Sequence, residues 1–195
     1  DVMMPYFTAK WYNPSSLYNK AVDIKKDINS ARSIIGEFIG AKNDEIFFTS
    51  GGSESNCWAI QGFVNECLLN KKKPCIITSK IEHKSILECV CNSSAKSVFI
   101  GVDKDGFVNM EELKYWLSLA KELNYSTLVS IQFANNEIGT IQPIKEIGAI
   151  AKKHNVLFHT DAVQAFGQIE INVKDMGIDM LSASAHKLNG PKGIG

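Results

Sequence analysis

The chain has 195 residues, 45% hydrophobic and 22% charged, and its 21 basic side chains equal its 21 acidic ones. That composition suits a globular protein with one sizeable core. A formal net charge of +0 leaves no footprint for nucleic acid or an anionic membrane, and the apolar runs fall short of a spanning helix. The opening Asp1-Val2-Met3-Met4-Pro5 shows no basic segment ahead of an apolar one, as a signal peptide would. Five cysteines, an odd number, then predict reduced thiols and a cytoplasmic protein. Cys89 and Cys91 lack a second pair to complete a metal site, so no metal is expected.

In chain order, residues 9–16 read as a loop, with Ser15 or Ser16 available to cap the helix that follows. Ala21, Ile24, Ile28, Ala31, Ile34, Ile35 and Phe38 recur at helical spacing, and Gly40 ends that helix. Residues 45–49 read as a strand, and Ser50-Gly51-Gly52-Ser53-Glu54 as a turn opening a helix to about Leu69. The run Lys71-Lys72-Lys73 is a solvated helix end rather than a binding patch. Further strands are predicted at 75–79, 97–100, 127–132, 156–160 and 178–184. Helices are predicted at 82–91, 108–123 and 143–154, with a short helical turn at 162–166. Asp103-Lys104-Asp105-Gly106 lacks calcium-loop spacing and reads as a turn. Strands alternating with helices, through connections too long for hairpins, predict an α/β fold. Its sheet would be mostly parallel, with helices on both faces.

Such sheets bind ligands at the carboxyl ends of their strands. Ser53, His83, Asn136, Asp161 and Lys187 are all placed just after a strand. Lys187 follows small residues, Ser184 and Ala185, and precedes a glycine-rich turn. Desolvation there would favour a neutral amine able to attack an aldehyde. The same stretch also reads as a surface lysine beside a polar turn. Gly51-Gly52-Ser53 before a helix suits an anion, although it equally makes a capped turn, and it is no nucleotide fingerprint. Ser184 and His186 are placed to hydrogen-bond a phosphate. Asp161 would need a cationic or N–H partner, which a protonated pyridine nitrogen supplies; the alternative is a helix cap. His83 suits ring stacking or proton transfer, and Asn136 and Gln164 suit a phenolic oxygen; each also suits plain loop hydrogen bonding. His154 and His159 are assigned no role. Together the parts suit pyridoxal 5'-phosphate, which needs a lysine, an anion beside its ring nitrogen and a phosphate cup.

Several stretches resemble the cysteine desulfurases of the class-V pyridoxal-phosphate aminotransferase family. They are Asn13-Pro14-Ser15-Ser16, Phe48-Thr49-Ser50-Gly51-Gly52-Ser53-Glu54-Ser55-Asn56, Thr78-Ser79-Lys80-Ile81-Glu82-His83-Lys84, Asn135-Asn136-Glu137-Ile138-Gly139, His159-Thr160-Asp161-Ala162-Val163-Gln164 and Ser184-Ala185-His186-Lys187. The resemblance implies part of the large domain of a fold-type I transferase. Residues 1–15 would form an N-terminal segment and 16–195 the cofactor-binding domain, cut after the lysine, with the small domain absent. It implies Lys187 as the Schiff-base lysine and Asp161 at the pyridine nitrogen. Gln164 and Asn136 would sit beside the phenolic oxygen, His83 over the ring, and Gly52, Ser53, Ser184 and His186 at the phosphate. The implied reaction turns L-cysteine into L-alanine and passes sulfur on as an enzyme persulfide. The implied partners are a second subunit and a sulfur acceptor or iron–sulfur scaffold protein.

Ser53 stands where the family usually has Thr, and none of the five cysteines matches the sulfur-accepting residue, so these residues alone are expected not to turn over cysteine. Other class-V enzymes, such as selenocysteine lyases and aminotransferases, share much of this site. A non-catalytic scaffold for dimerisation is the alternative of a different class, against which Lys187 and Asp161 both stand.

Overall fold

The computed structural model describes residues 2–195. The chain divides into two compact units, one ending at Phe47 and one beginning at Phe48.

The first unit holds α1 (Met4–Thr8), α2 (Asn19–Ile39) and a 3-10 turn, Asn43–Glu45. The α2 stripe buries Ala21, Ile24 and Ile39 but leaves Ile34 and Phe38 exposed. Gly40 ends α2 at φ 73°, and its N–H donates to the Gly36 and Glu37 carbonyls, as a left-handed cap requires. The N-cap is Tyr18, neither Ser15 nor Ser16. Asn13 Oδ1 instead accepts the Ser15 N–H at 2.9 Å, which turns the chain upstream of the helix. The strand predicted at 45–49 does not form. Glu45 closes the 3-10 turn by accepting the Lys42 N–H at 2.7 Å, and Arg32 Nη1 donates to the Ile46 carbonyl at 2.6 Å.

The second unit holds α3 (Gly52–Leu69), β1 (Lys73–Ser79), α4 (Lys84–Cys91), β2 (Lys96–Ile100) and α5 (Met110–Glu122). It continues with β3 (Tyr125–Ser130), α6 (Ile144–His154), β4 (Leu157–Asp161), β5 (Met180–Ser182) and a 3-10 turn, Ala185–Leu188. At its start Thr49 exchanges two backbone hydrogen bonds with Gly195, at 2.9 and 3.0 Å. One rung is not a ladder, which is why the predicted strand has no regular structure here. The five strands form one sheet in the order β2-β1-β3-β4-β5, every pair parallel. Ile60 and Val64 of α3 and Ile86 and Val90 of α4 pack with Ile76 and Leu128 on one face. Alternation turns Ile77 and Val129 to the other face, which α5 and α6 cover with buried Leu113, Leu117, Ile147 and Ala151. Each such Leu, Ile or Val side chain contributes about 1.5–3 kcal/mol by leaving water.

Several boundaries differ from expectation. β5 has only three residues because its pairing with β4 runs from His159↔Met180 to Asp161↔Ser182. The short helical turn at 162–166 does form, as the Phe166 N–H donates to the Ala162 carbonyl at 2.8 Å. α5 begins at Met110, since Asn109 Oδ1 accepts the N–H groups of Glu111 and Glu112. Asp103 Oδ1 accepts the Asp105 and Phe107 N–H groups, which is turn chemistry.

The cysteines also depart from expectation. Cys57 and Cys89 are joined by a disulfide with Cα atoms 5.7 Å apart, while Cys67, Cys75 and Cys91 are free. α3 and α4 pack side by side on one face, and that places two sequence-distant thiols within bridging reach. No helix among the described residues is long and apolar enough to cross a membrane.

Candidate active site at the carboxyl ends of the strands

The strand order reverses direction at the β1–β3 junction: the chain steps from β1 out to β2, then returns to the other side for β3, β4 and β5. Loops leaving β1 and β3 diverge there, and a crevice opens beyond their carboxyl ends. The crevice is a cleft of about 210 Å³, and all nine predicted residues line it: Gly52, Ser53, His83, Asn136, Asp161, Gln164, Ser184, His186 and Lys187.

Each is delivered by a distinct piece of backbone. Gly52 is the first residue of α3 and Ser53 the second. A Cβ on Gly52 would lie 2.7 Å from Val163 Cγ2, so the bare backbone is what lets the helix start meet the turn after β4. His83 caps α4, accepting the Ser85 N–H on Nδ1 at 3.1 Å. Asn136 and Gln164 lie in the turns after β3 and β4. Asp161 is the last residue of β4, and only 7% of it is exposed. Ser184 leads β5 into the 3-10 turn that carries His186 and Lys187, and its Oγ lies 2.7 Å from His186 Nδ1. Lys187 stands exposed on the cleft rim, not desolvated among small residues as the sequence suggested. The 3-10 turn holds it outward, past the point where β5 has ended.

Asp161 is the electrostatic centre of the cleft. Its Oδ1 accepts the Val163 N–H at 3.0 Å and its Oδ2 accepts the Asn56 amide at 2.7 Å. Both donors are neutral, and no ion pair reaches it among the described residues. A buried carboxylate so held still wants a cation. Beside the cleft, burial pushes the Glu82 carboxyl up to about 8; hydrogen bonds from Ser79 and Gln132 oppose the rise, and the charge of Asp161 adds to it. Gln132 Nε2 and Asn135 Nδ2 both donate to the Ile81 carbonyl at 2.9 Å, so the loops on either side of the switch point are stitched together.

Sequence reasoning missed Asn56, Ser85, Gln132, Ala134 and Val163, which also line the cleft. Asn56 follows Gly52 by one helical turn and so shares its face, a signal present in the sequence. Ser85 sits two residues past the cap His83, where cap partners are found.

These residues fit pyridoxal 5'-phosphate. The cleft offers a rim amine in Lys187, a buried carboxylate without a cation in Asp161, and hydroxyls of Ser53 and Ser184 near a helix N-terminus.

Known proteins give the same picture. The profile of the family Aminotransferase class-V matches residues 1–195. A cysteine desulfurase IscS of Clostridium botulinum is 50% identical over all of this chain and 48% of its own length. A mitosomal cysteine desulfurase of Trachipleistophora hominis is 44% identical over all of this chain and 44% of its own. The solved structure "SspA in complex with cysteine" superposes with a TM-score of 0.89 at 40% identity, over 98% of this chain and 54% of that one. The chain thus spans about half the length of the curated relatives it matches. From the profile match over its full length, this chain belongs to the class-V aminotransferase family.

Proposed function

We propose that the protein carrying this chain is a pyridoxal-phosphate-dependent cysteine desulfurase. It would convert L-cysteine to L-alanine and hand the sulfur on as a persulfide for iron–sulfur cluster or thio-cofactor assembly. The observation that carries the reading is that one cleft holds both the Lys187 amine and the buried Asp161 carboxylate. Relatives named as cysteine desulfurases, 50% and 44% identical, support the substrate.

When bound, pyridoxal phosphate supplies an electron sink for the substrate's alpha carbon. Asp161 orients and charge-balances the ring nitrogen from its fixed position on β4. Lys187 would hold the cofactor, and its amine would serve as the base for the substrate's alpha proton. His83 would lie against the ring and move protons at its Nε2. Asn136 and Gln164 would orient the ring's phenolic oxygen, and Gly52, Ser53, Ser184 and His186 would bind the phosphate. Residues 16–195 belong in this reading to the cofactor-binding large domain, with 1–15 as a leading segment. The partners are a second copy of the chain and a sulfur-acceptor or scaffold protein. A cytoplasmic location completes the reading; the free thiols of Cys67, Cys75 and Cys91 suit it, while the Cys57–Cys89 disulfide stands against it.

The test uses the full-length protein. It should bind pyridoxal phosphate with a visible absorbance band, lose that band on Lys187→Ala, and form alanine from cysteine. A full-length protein that binds no pyridoxal phosphate, or that forms none of this product, overturns the reading.

A further inference from the structure

Asn56 is 1% exposed, and its amide spends both protons inside the cleft wall. One goes to Asp161 Oδ2 at 2.7 Å and the other to Ser85 Oγ at 3.0 Å. The amide cannot be turned over, because Oδ1 would then face the Asp161 carboxylate. Its Oδ1 already lies buried without a partner, a loss tolerated in exchange for the two donations. Ser85 Oγ accepts from Asn56, so its own proton is directed along its other short contact, 2.7 Å to His83 Nδ1. The Ser85 backbone N–H points at the same nitrogen from 3.1 Å. The hydroxyl at 2.7 Å is the shorter of the two contacts and the backbone N–H the longer; together they leave Nδ1 to present its lone pair. The neutral ring of His83 then carries its proton on Nε2. A single side chain on α3 therefore orders groups on both β4 and α4: a carboxylate on one side and an imidazole tautomer on the other.

We propose that Asn56 and Ser85 form a positioning pair that aims the Asp161 carboxylate and locks His83 as its Nε2–H tautomer. Neither touches the reacting atoms; both act through the residues they hold. The importance of Asp161 and His83 rests on the function proposed above. The tautomer does not, so it is read without cofactor.

The experiment is 15N-edited NMR of the histidine rings in full-length protein freed of cofactor, with pyridoxal phosphate affinity measured alongside. The wild type should show His83 as one tautomer with its proton on Nε2. Ser85→Ala leaves only the longer backbone N–H on Nδ1, and Asn56→Leu frees the hydroxyl to turn away; both should raise the share of the Nδ1–H form, and Ser85→Thr, which keeps the hydroxyl, should restore the single form. Asn56→Leu should also weaken pyridoxal phosphate by about tenfold or more, through loss of a hydrogen bond to a charged group. Should the leucine not fold, Asn56→Ala carries the same test. An Nδ1–H ring in the wild type, or a His83 spectrum unmoved by the Asn56 and Ser85 substitutions, overturns the proposal. A protein that keeps the spectral pattern yet binds no pyridoxal phosphate sinks the proposed function alone.

Discussion

Glu82 Oε1 accepts the backbone N–H of Gln132 at 3.1 Å, bridging the loops that leave β1 and β3. The same oxygen accepts the Ser79 hydroxyl at 2.6 Å, while Oε2 is buried without a partner. Burial keeps this carboxyl protonated, with its pKa raised from 4.5 to about 8. The folded chain thus holds a proton that the unfolded chain releases above pH 4.5. Its contribution to stability is complete below that pH and is lost as pH rises through about 8. The loss reaches roughly 3 kcal/mol at neutral pH. Glu82→Gln should flatten the decline in unfolding free energy between pH 6.5 and 8, measured by urea titration. An unchanged slope in the variant would remove Glu82 as its cause.

His159 acts with the opposite sign. It is fully buried between Ser130 Oγ, 2.9 Å from Nδ1, and Ser182 Oγ, 3.0 Å from Nε2, and burial lowers its pKa from 6.5 to about 4. The folded chain refuses a proton that the unfolded chain takes up below pH 6.5, so stability is lost as pH falls from there towards about 4. The loss is about 2 kcal/mol by pH 5. Between pH 4.5 and 6.5 Glu82 and His159 oppose each other. Glu82→Gln should therefore become distinctly acid-labile, whereas His159→Asn, though weaker overall, should gain stability on mild acidification. Urea titrations at pH 5 and 6.5 distinguish the two signs.

The Cys57–Cys89 bond closes a loop of sequence separation 32. Loop-closure entropy assigns it about 4 kcal/mol. Reduction, or Cys57→Ser, should lower the denaturation midpoint accordingly, and non-reducing peptide mapping should recover the 57–89 linkage. Recovery of free thiols only, in protein prepared without reductant, would refute the pairing.

Gly52→Ala sets a methyl against Val163 Cγ2, where only 2.7 Å is available. Either α3 or the turn after β4 must yield, which costs about 1–3 kcal/mol. Because both border the cleft, pyridoxal phosphate affinity should fall along with the melting temperature. A drop in one without the other would separate packing from binding.

The sheet and its cleft were largely legible in the chain. Runs such as 75–79 and 127–132 are too apolar for half-exposed strands, and their spacing by helical segments leaves a parallel sheet as the natural outcome. Once the strands were placed, His83, Asn136, Asp161 and Lys187 followed from their positions at strand ends, while Ser53 was found through a strand at 45–49 that does not form. What was not legible depends on partners remote in sequence. Residues 45–49 look like a strand, but a strand exists only where a ladder does, and Thr49 finds a single rung with Gly195. The exposure of Lys187 follows from β5 stopping at Ser182, a matter of register with β4. Asn56 and Ser85 look like ordinary helix residues until their partners are known. The disulfide likewise required the packing of α3 on α4.

Asn56 and Asp161, whose side chains meet at 2.7 Å, stand 105 residues apart in the chain. A ribosome must therefore release the second unit as far as β4 before that contact exists, and the lysine emerges later still. An aldehyde arriving earlier would meet the carboxylate without its amine, because Lys187 is the last of the cleft residues in chain order.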